Sequence, residues 1–87
     1  GAYEPADAVR VQVSPNPARE VAEFQVLGKN AEGATIQLFD AQGRRVREAR
    51  MSGARERLDL QGLPPGVYVY DLRGKDWSKS GKLLVQP

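Results

Sequence analysis

The amino-acid sequence predicts an all-β fold, an immunoglobulin-like antiparallel β-sandwich of about seven short strands. Three observations carry this expectation. Apolar residues recur with a period near two rather than 3.6, the spacing of strands with one buried face. Turn-forming residues interrupt that alternation often enough to delimit seven segments, which favours a sandwich over a small barrel. Val, Leu, Ile and Phe make up about 23% of the 87 residues, above the roughly 20% below which chains tend to stay disordered. With a formal net charge of only +2, self-repulsion does not hold the chain open. One small domain follows, burying roughly 60% of its unfolded surface around a single core.

Residues 1–8, Gly1-Ala-Tyr-Glu-Pro-Ala-Asp-Ala8, are polar and without period, and read as a flexible tether from a parent protein. They lack the basic and apolar regions of a secretory signal peptide; the chain opens with Gly and without a starting Met, so it is expected to be a module cut from one end of a longer protein. Residues 9–87 form the domain. Val9, Val11 and Val13 alternate with Arg10 and Gln12 as a first strand. Pro15, Asn16 and Pro17 then break the ladder, because proline lacks a donor and asparagine readily closes an Asx-type turn. Ala22, Phe24 and Val26 make a second strand. Asn16 and Pro17 could instead cap a helix running to Gly28, but Phe24 and Val26 would then diverge by about 200°. The strand is the better reading.

Ala34, Ile36 and Leu38 repeat the period, and Asp40-Ala41-Gln42-Gly43 closes a hairpin with positive φ expected at Gly43. A weak strand follows around Val46, then another at Leu58 and Leu60. Pro64-Pro65-Gly66-Val67 has the proline and glycine placement of a type II turn. The densest strand signal runs from Val67 to Leu72, and Lys82 to Gln86 closes the chain. Tyr68, Tyr70 and Leu72 are expected to face inward with Phe24, Ile36 and Leu38. Alternation then leaves Phe39, Val67 and Val69 on the outer sheet face, where a sandwich normally places polar residues. They form a candidate docking patch.

The chain has no cysteine and no histidine. Disulfides, thiolate nucleophiles and thiolate metal sites are therefore excluded. The usual proton-transfer side chain near neutral pH is missing too. The four serines have no Ser-x-x-Lys partner, so no enzyme is expected and no catalytic residue is assigned. Asp40-Ala41-Gln42-Gly43 lacks the alternating oxygen ligands of a calcium loop. The Gly-Lys pairs lack phosphate-loop spacing. No metal or cofactor site is expected, and no stretch approaches the roughly 18 apolar residues of a transmembrane segment.

The turn motifs occur in a telling order: Val13-Ser-Pro-Asn-Pro17, Ile36-Gln-Leu-Phe-Asp-Ala-Gln-Gly-Arg-Arg-Val46, Leu58-Asp-Leu-Gln-Gly-Leu-Pro-Pro-Gly-Val-Tyr68 and Ser80-Gly-Lys-Leu-Leu-Val85. Together they resemble the C-terminal sorting domain (type A) of proteins exported by the bacterial type IX secretion system. The resemblance runs from about Val9 to Val85. It places Pro15, Asn16, Pro17, Asp40, Gly43, Arg44, Leu63, Gly66 and Tyr68 at the family's turn motifs. The last strand has Lys82 alone where the family often has two adjacent bases, and Gln86-Pro87 extends beyond it.

The resemblance implies an export signal that directs a covalently linked upstream cargo across the outer membrane. Implied partners are outer-membrane translocon components and a cell-surface sortase that cleaves ahead of the domain and attaches cargo to an anionic lipopolysaccharide. The implied route is the periplasm in transit, then the cell surface or extracellular space. Lys82, Leu83, Leu84 and Val85 are the expected translocon-recognition strand, and Phe39, Val67 and Val69 a docking patch for the machinery or a second copy. Alternatives are a carbohydrate-binding or adhesive sandwich appended to a secreted enzyme, or an immunoglobulin-like spacer. Six bases between Arg44 and Arg57 could meet an anionic partner, but they read better as a solvated hairpin that resists edge pairing. Nucleic acid is not an expected partner, since no recognition motif is present. Trp77 is expected to fold back over the sheet edge rather than stack on a sugar.

Overall fold

The computed structural model describes residues 9–87; the tether assigned to residues 1–8 lies outside them. Seven strands follow one another: β1 (Arg10–Ser14), β2 (Val21–Leu27), β3 (Thr35–Phe39), β4 (Arg45–Arg50), β5 (Arg55–Asp59), β6 (Gly66–Arg73) and β7 (Ser78–Val85). They form a three-stranded sheet, β1-β2-β5, and a four-stranded sheet, β4-β3-β6-β7, with every strand pairing antiparallel. No helix occurs among the described residues. The helix alternative after Asn16 fails because β2 buries Ala22, Phe24 and Val26 on one face, as period two requires.

The core lies between the sheets. Phe24 comes from one sheet and Ile36, Leu38, Leu72 and Leu83 from the other, all fully buried. Tyr68 and Leu72 point inward as the alternation predicts, and the Tyr70 ring meets Phe24 edge to face at 5.3 Å and 79°. Met51 is an additional core residue that no strand pattern marked. It follows β4 directly, and its backbone extends the hairpin ladder by bonding Ala34 and Gly33.

Three local departures from simple alternation matter for the surface. First, β7 begins at Ser78, before the Lys82 expected from apolar content. Its extra length pairs fully with β6, and Gly81 lies opposite Tyr70. A Cβ at Gly81 would overlap the Tyr70 hydroxyl, so the tyrosine ring occupies the side-chain space that glycine leaves. Second, Leu38 faces Arg47 while Phe39 faces Arg45, which makes Val46 an extra residue in β4. The bulge lets the Arg47 guanidinium donate to the carbonyls of Val46, Asp59 and Gln61, bridging from edge strand β4 to the chain around the end of β5. A charge placed there also discourages pairing with another chain.

Third, the type II turn expected at Pro64–Val67 does not form. Gly66 has φ +155°, not the value near +80° that such a turn sets. The hydrogen-bonded turn lies upstream at Leu60–Leu63, where Leu63 N–H donates to Leu60 C=O and Gly62 has φ 85°. Pro64 C=O accepts instead from the Tyr68 hydroxyl. Gly66 still occupies backbone space that L side chains rarely enter, and no atom lies near its missing Cβ. Gly66→Val is therefore expected to destabilise the domain by about 1–3 kcal/mol through backbone strain alone. Thermal unfolding of the purified variant checks this; an unchanged midpoint would show that valine adopts the conformation freely.

Candidate functional site

The Pro-Asn-Pro segment and the chain terminus meet, although 66–68 residues separate the bonded positions. Both the Ser14-Pro15 and Asn16-Pro17 peptides are cis. The Asn16 carboxamide behaves like a short piece of strand: Nδ2 donates to Lys82 C=O at 3.1 Å, and Oδ1 accepts from Leu84 N–H at 3.1 Å. Ala18 continues the seam, donating to Leu84 C=O and accepting from Gln86 N–H. Thus β7 is held by β6 on one edge and by Asn16 and Ala18 on the other. Among the described residues, pairing ends at Gln86, as expected where Pro87 has no N–H.

Asp40 organises the β3–β4 hairpin. Its carboxylate accepts from the backbone N–H groups of Gln42 and Arg44 and from Arg44 Nε, each at 2.9 Å. Gly43 closes the turn with φ 82° and a bond to Asp40 C=O. The bond from Arg44 N–H chiefly lowers the Asp40 pKa below its ordinary value, with the Arg44 side chain and Gln42 N–H adding to it. At the other turn, Leu63 packs against the core while the Tyr68 ring is buried and its hydroxyl ties back to Pro64. Gly43 and Leu63 donate the bonds that close their turns, whereas Tyr68 lies on β6 and reaches back through its hydroxyl.

Alternation along β7 splits the four expected recognition residues. Leu83 and Val85 are in the core, whereas Lys82 and Leu84 face outward. The register places Leu84 opposite Val67 and Lys82 opposite Val69, while Phe39 on β3 lies opposite Val69 from the other side. The outer face of the four-stranded sheet therefore contains the row Arg45–Phe39–Val69–Lys82 beside the pair Val67–Leu84. Val67, Val69 and Leu84 are 52%, 42% and 39% exposed. A recess of about 490 Å³ adjoins this face between the Asp40–Val46 hairpin and Pro64–Tyr68.

Trp77 packs against the core and donates from Nε1 to Asn30 C=O at 3.2 Å, joining the β6–β7 turn to the β2–β3 connection. No cluster of carboxylates suited to a metal ion occurs among the described residues. No helix is long and apolar enough to cross a membrane among those residues.

A family model described as a secretion system C-terminal sorting domain matches residues 12–86. Among solved structures, the chain is similar to PorZ, an essential bacterial surface component of the type IX secretion system of Porphyromonas gingivalis. That match has TM-score 0.74 and 20% identity, covering 88% of this chain and 11% of PorZ. Dimeric latent PorU from the same organism matches with TM-score 0.66 and 20% identity, covering 95% of this chain and 10% of PorU. The chain thus spans about a tenth of either structure, and these likenesses are of fold. No curated protein matches it.

Proposed function

The chain belongs to the family of type IX secretion system C-terminal sorting domains, and from that premise we propose that it is the export signal of a covalently linked cargo protein. The observation that carries this reading is the family match across residues 12–86. The domain is a folded, non-catalytic ligand of the outer-membrane translocon. Its cargo passes through the periplasm and reaches the cell surface or the extracellular space. A surface sortase then cleaves ahead of the domain and joins the cargo to an anionic lipopolysaccharide.

The clasp on β7 supports a division of labour within the last strand. Leu83 and Val85 hold the strand in the core, and Asn16 holds its edge. Lys82 and Leu84 are left to be read from outside. A carbohydrate-binding role gains nothing from Trp77, whose indole is turned toward Asn30.

Fusion of residues 1–87 to the C-terminus of a periplasm-directed reporter tests the proposal. Export of the reporter is expected in a type IX-competent host and not in an isogenic strain without the translocon. A folded, stable fusion that stays in the periplasm of the competent host would overturn the reading.

A further inference from the structure

The outer face of the four-stranded sheet carries more apolar surface than its strands need. Val67 and Val69 alone would be unremarkable, since β-branched side chains suit strands on either face. Leu84 has no such preference, and it lies opposite Val67, while Phe39 lies opposite Val69. These four residues come from three adjacent strands and form one contiguous surface. Such a patch is of the kind that marks an interaction site.

Its border is cationic. Arg45 and Lys82 end the row that contains Phe39 and Val69, and the remaining rows add Arg50 and Arg73 against Glu48 and Asp71. Both carboxylates are already engaged: Glu48 by Gln37 and Arg45, and Asp71 by Arg73. The Lys82 ammonium has no ion-pair partner among the described residues. Beside Val67, the recess between the β3–β4 hairpin and the Pro64–Tyr68 segment is lined by Asp40, Arg44 and Arg45, with Arg44 paired to Asp40 and Arg45 to Glu48.

We propose that this face, centred on Phe39, Val67, Val69 and Leu84, docks a protein surface of the secretion machinery that presents apolar side chains edged by carboxylates. The proposal rests on the sorting-domain reading and names the surface that the machinery would read. The charge pattern selects this occupant. Apposing the face to a second copy would bring cationic borders together, which disfavours a symmetric pair. The recess suits a protruding side chain, a shape that a flat lipid surface does not supply. An acidic partner meets Lys82 and Arg50, which have no ion-pair partner among the described residues, and covers the apolar centre together.

The reporter fusion supplies the test. Val69→Lys and, separately, Lys82→Glu are each expected to lower export about tenfold, equivalent to about 1.4 kcal/mol of recognition, with unfolding midpoints unchanged. If Val69→Lys unfolds, Val67→Ser at the most exposed position gives the reading in its place. Failure of the parent fusion itself would remove the sorting role, whereas parental export by folded Val69→Lys or Val67→Ser would remove only this surface. Two other results would overturn the assigned occupant: a dimer of the parent domain that Val69→Lys abolishes, or its co-sedimentation with anionic phospholipid vesicles that Val69→Lys abolishes.

Discussion

Phe24→Ala is expected to lower the unfolding free energy by about 3–5 kcal/mol, the range for emptying a buried aromatic site. Phe24 is fully buried on β2, the middle strand of its sheet, and meets Tyr70, from an inner strand of the other sheet, in a T-shaped contact. Its loss leaves a cavity between the sheets and removes the surface against which Tyr70 is fixed. Tyr70 in turn fills the space over Gly81, so the disturbance should reach β7. A small domain has only about 5–15 kcal/mol in total, which makes this variant marginal. Urea unfolding measures the effect as a fall in midpoint at constant slope. A loss below about 1 kcal/mol would show that the sheets repack without this contact.

Leu83→Ala should cost about 2–5 kcal/mol by the same mechanism, and its consequence for export is more specific. Leu83 is fully buried opposite Tyr68, while its neighbours Lys82 and Leu84 face outward. Truncation therefore leaves the outward chemistry of β7 in place and acts by loosening the strand. Export of the Leu83→Ala fusion should fall in step with its unfolded fraction, and recover at growth temperatures where the purified variant is folded. Lys82→Glu should stay about tenfold below the parent at every temperature. Persistent export failure by a fully folded Leu83→Ala variant would mean that the machinery contacts this position directly.

These two outcomes separate residues that share a strand, and that separation was legible from alternation. Successive side chains on a pleated strand point to opposite faces, so Leu83 and Leu84 cannot share an environment. The same local rule assigned Phe24, Ile36, Leu38 and Leu72 to the core and left Val67 and Val69 outside it. The Asp40 hairpin was equally readable, because the Asp40, Gly43 and Arg44 groups that close it lie within five consecutive residues. Less was visible where a position has no period. Met51 sits just past the end of its strand and is buried because its backbone continues the ladder to Ala34. The Gly66 conformation escaped as well: the Pro-Pro-Gly spacing suits a turn, but Tyr68 takes the Pro64 carbonyl and the tight turn forms upstream.

By itself the sequence determined the strands, the side of each strand that is buried and the chemistry of its hairpin tips. Each of these depends on backbone geometry over a few neighbouring residues. Only the tertiary structure decided which strand ends lie together. The bond from Asn16 to Lys82 spans 66 residues, and no local pattern announces a carboxamide that completes the edge of a distant strand. The extra residue at Val46 likewise arises where β3 and β4 pair, and it aims Arg47 at carbonyls near the end of β5. Phe39 and Leu84, 45 residues apart, become parts of one surface because β6 pairs with both of their strands. Which way a side chain points is set within its own strand; what stands next to it is set by the strand that pairs there, and that choice belongs to the whole core.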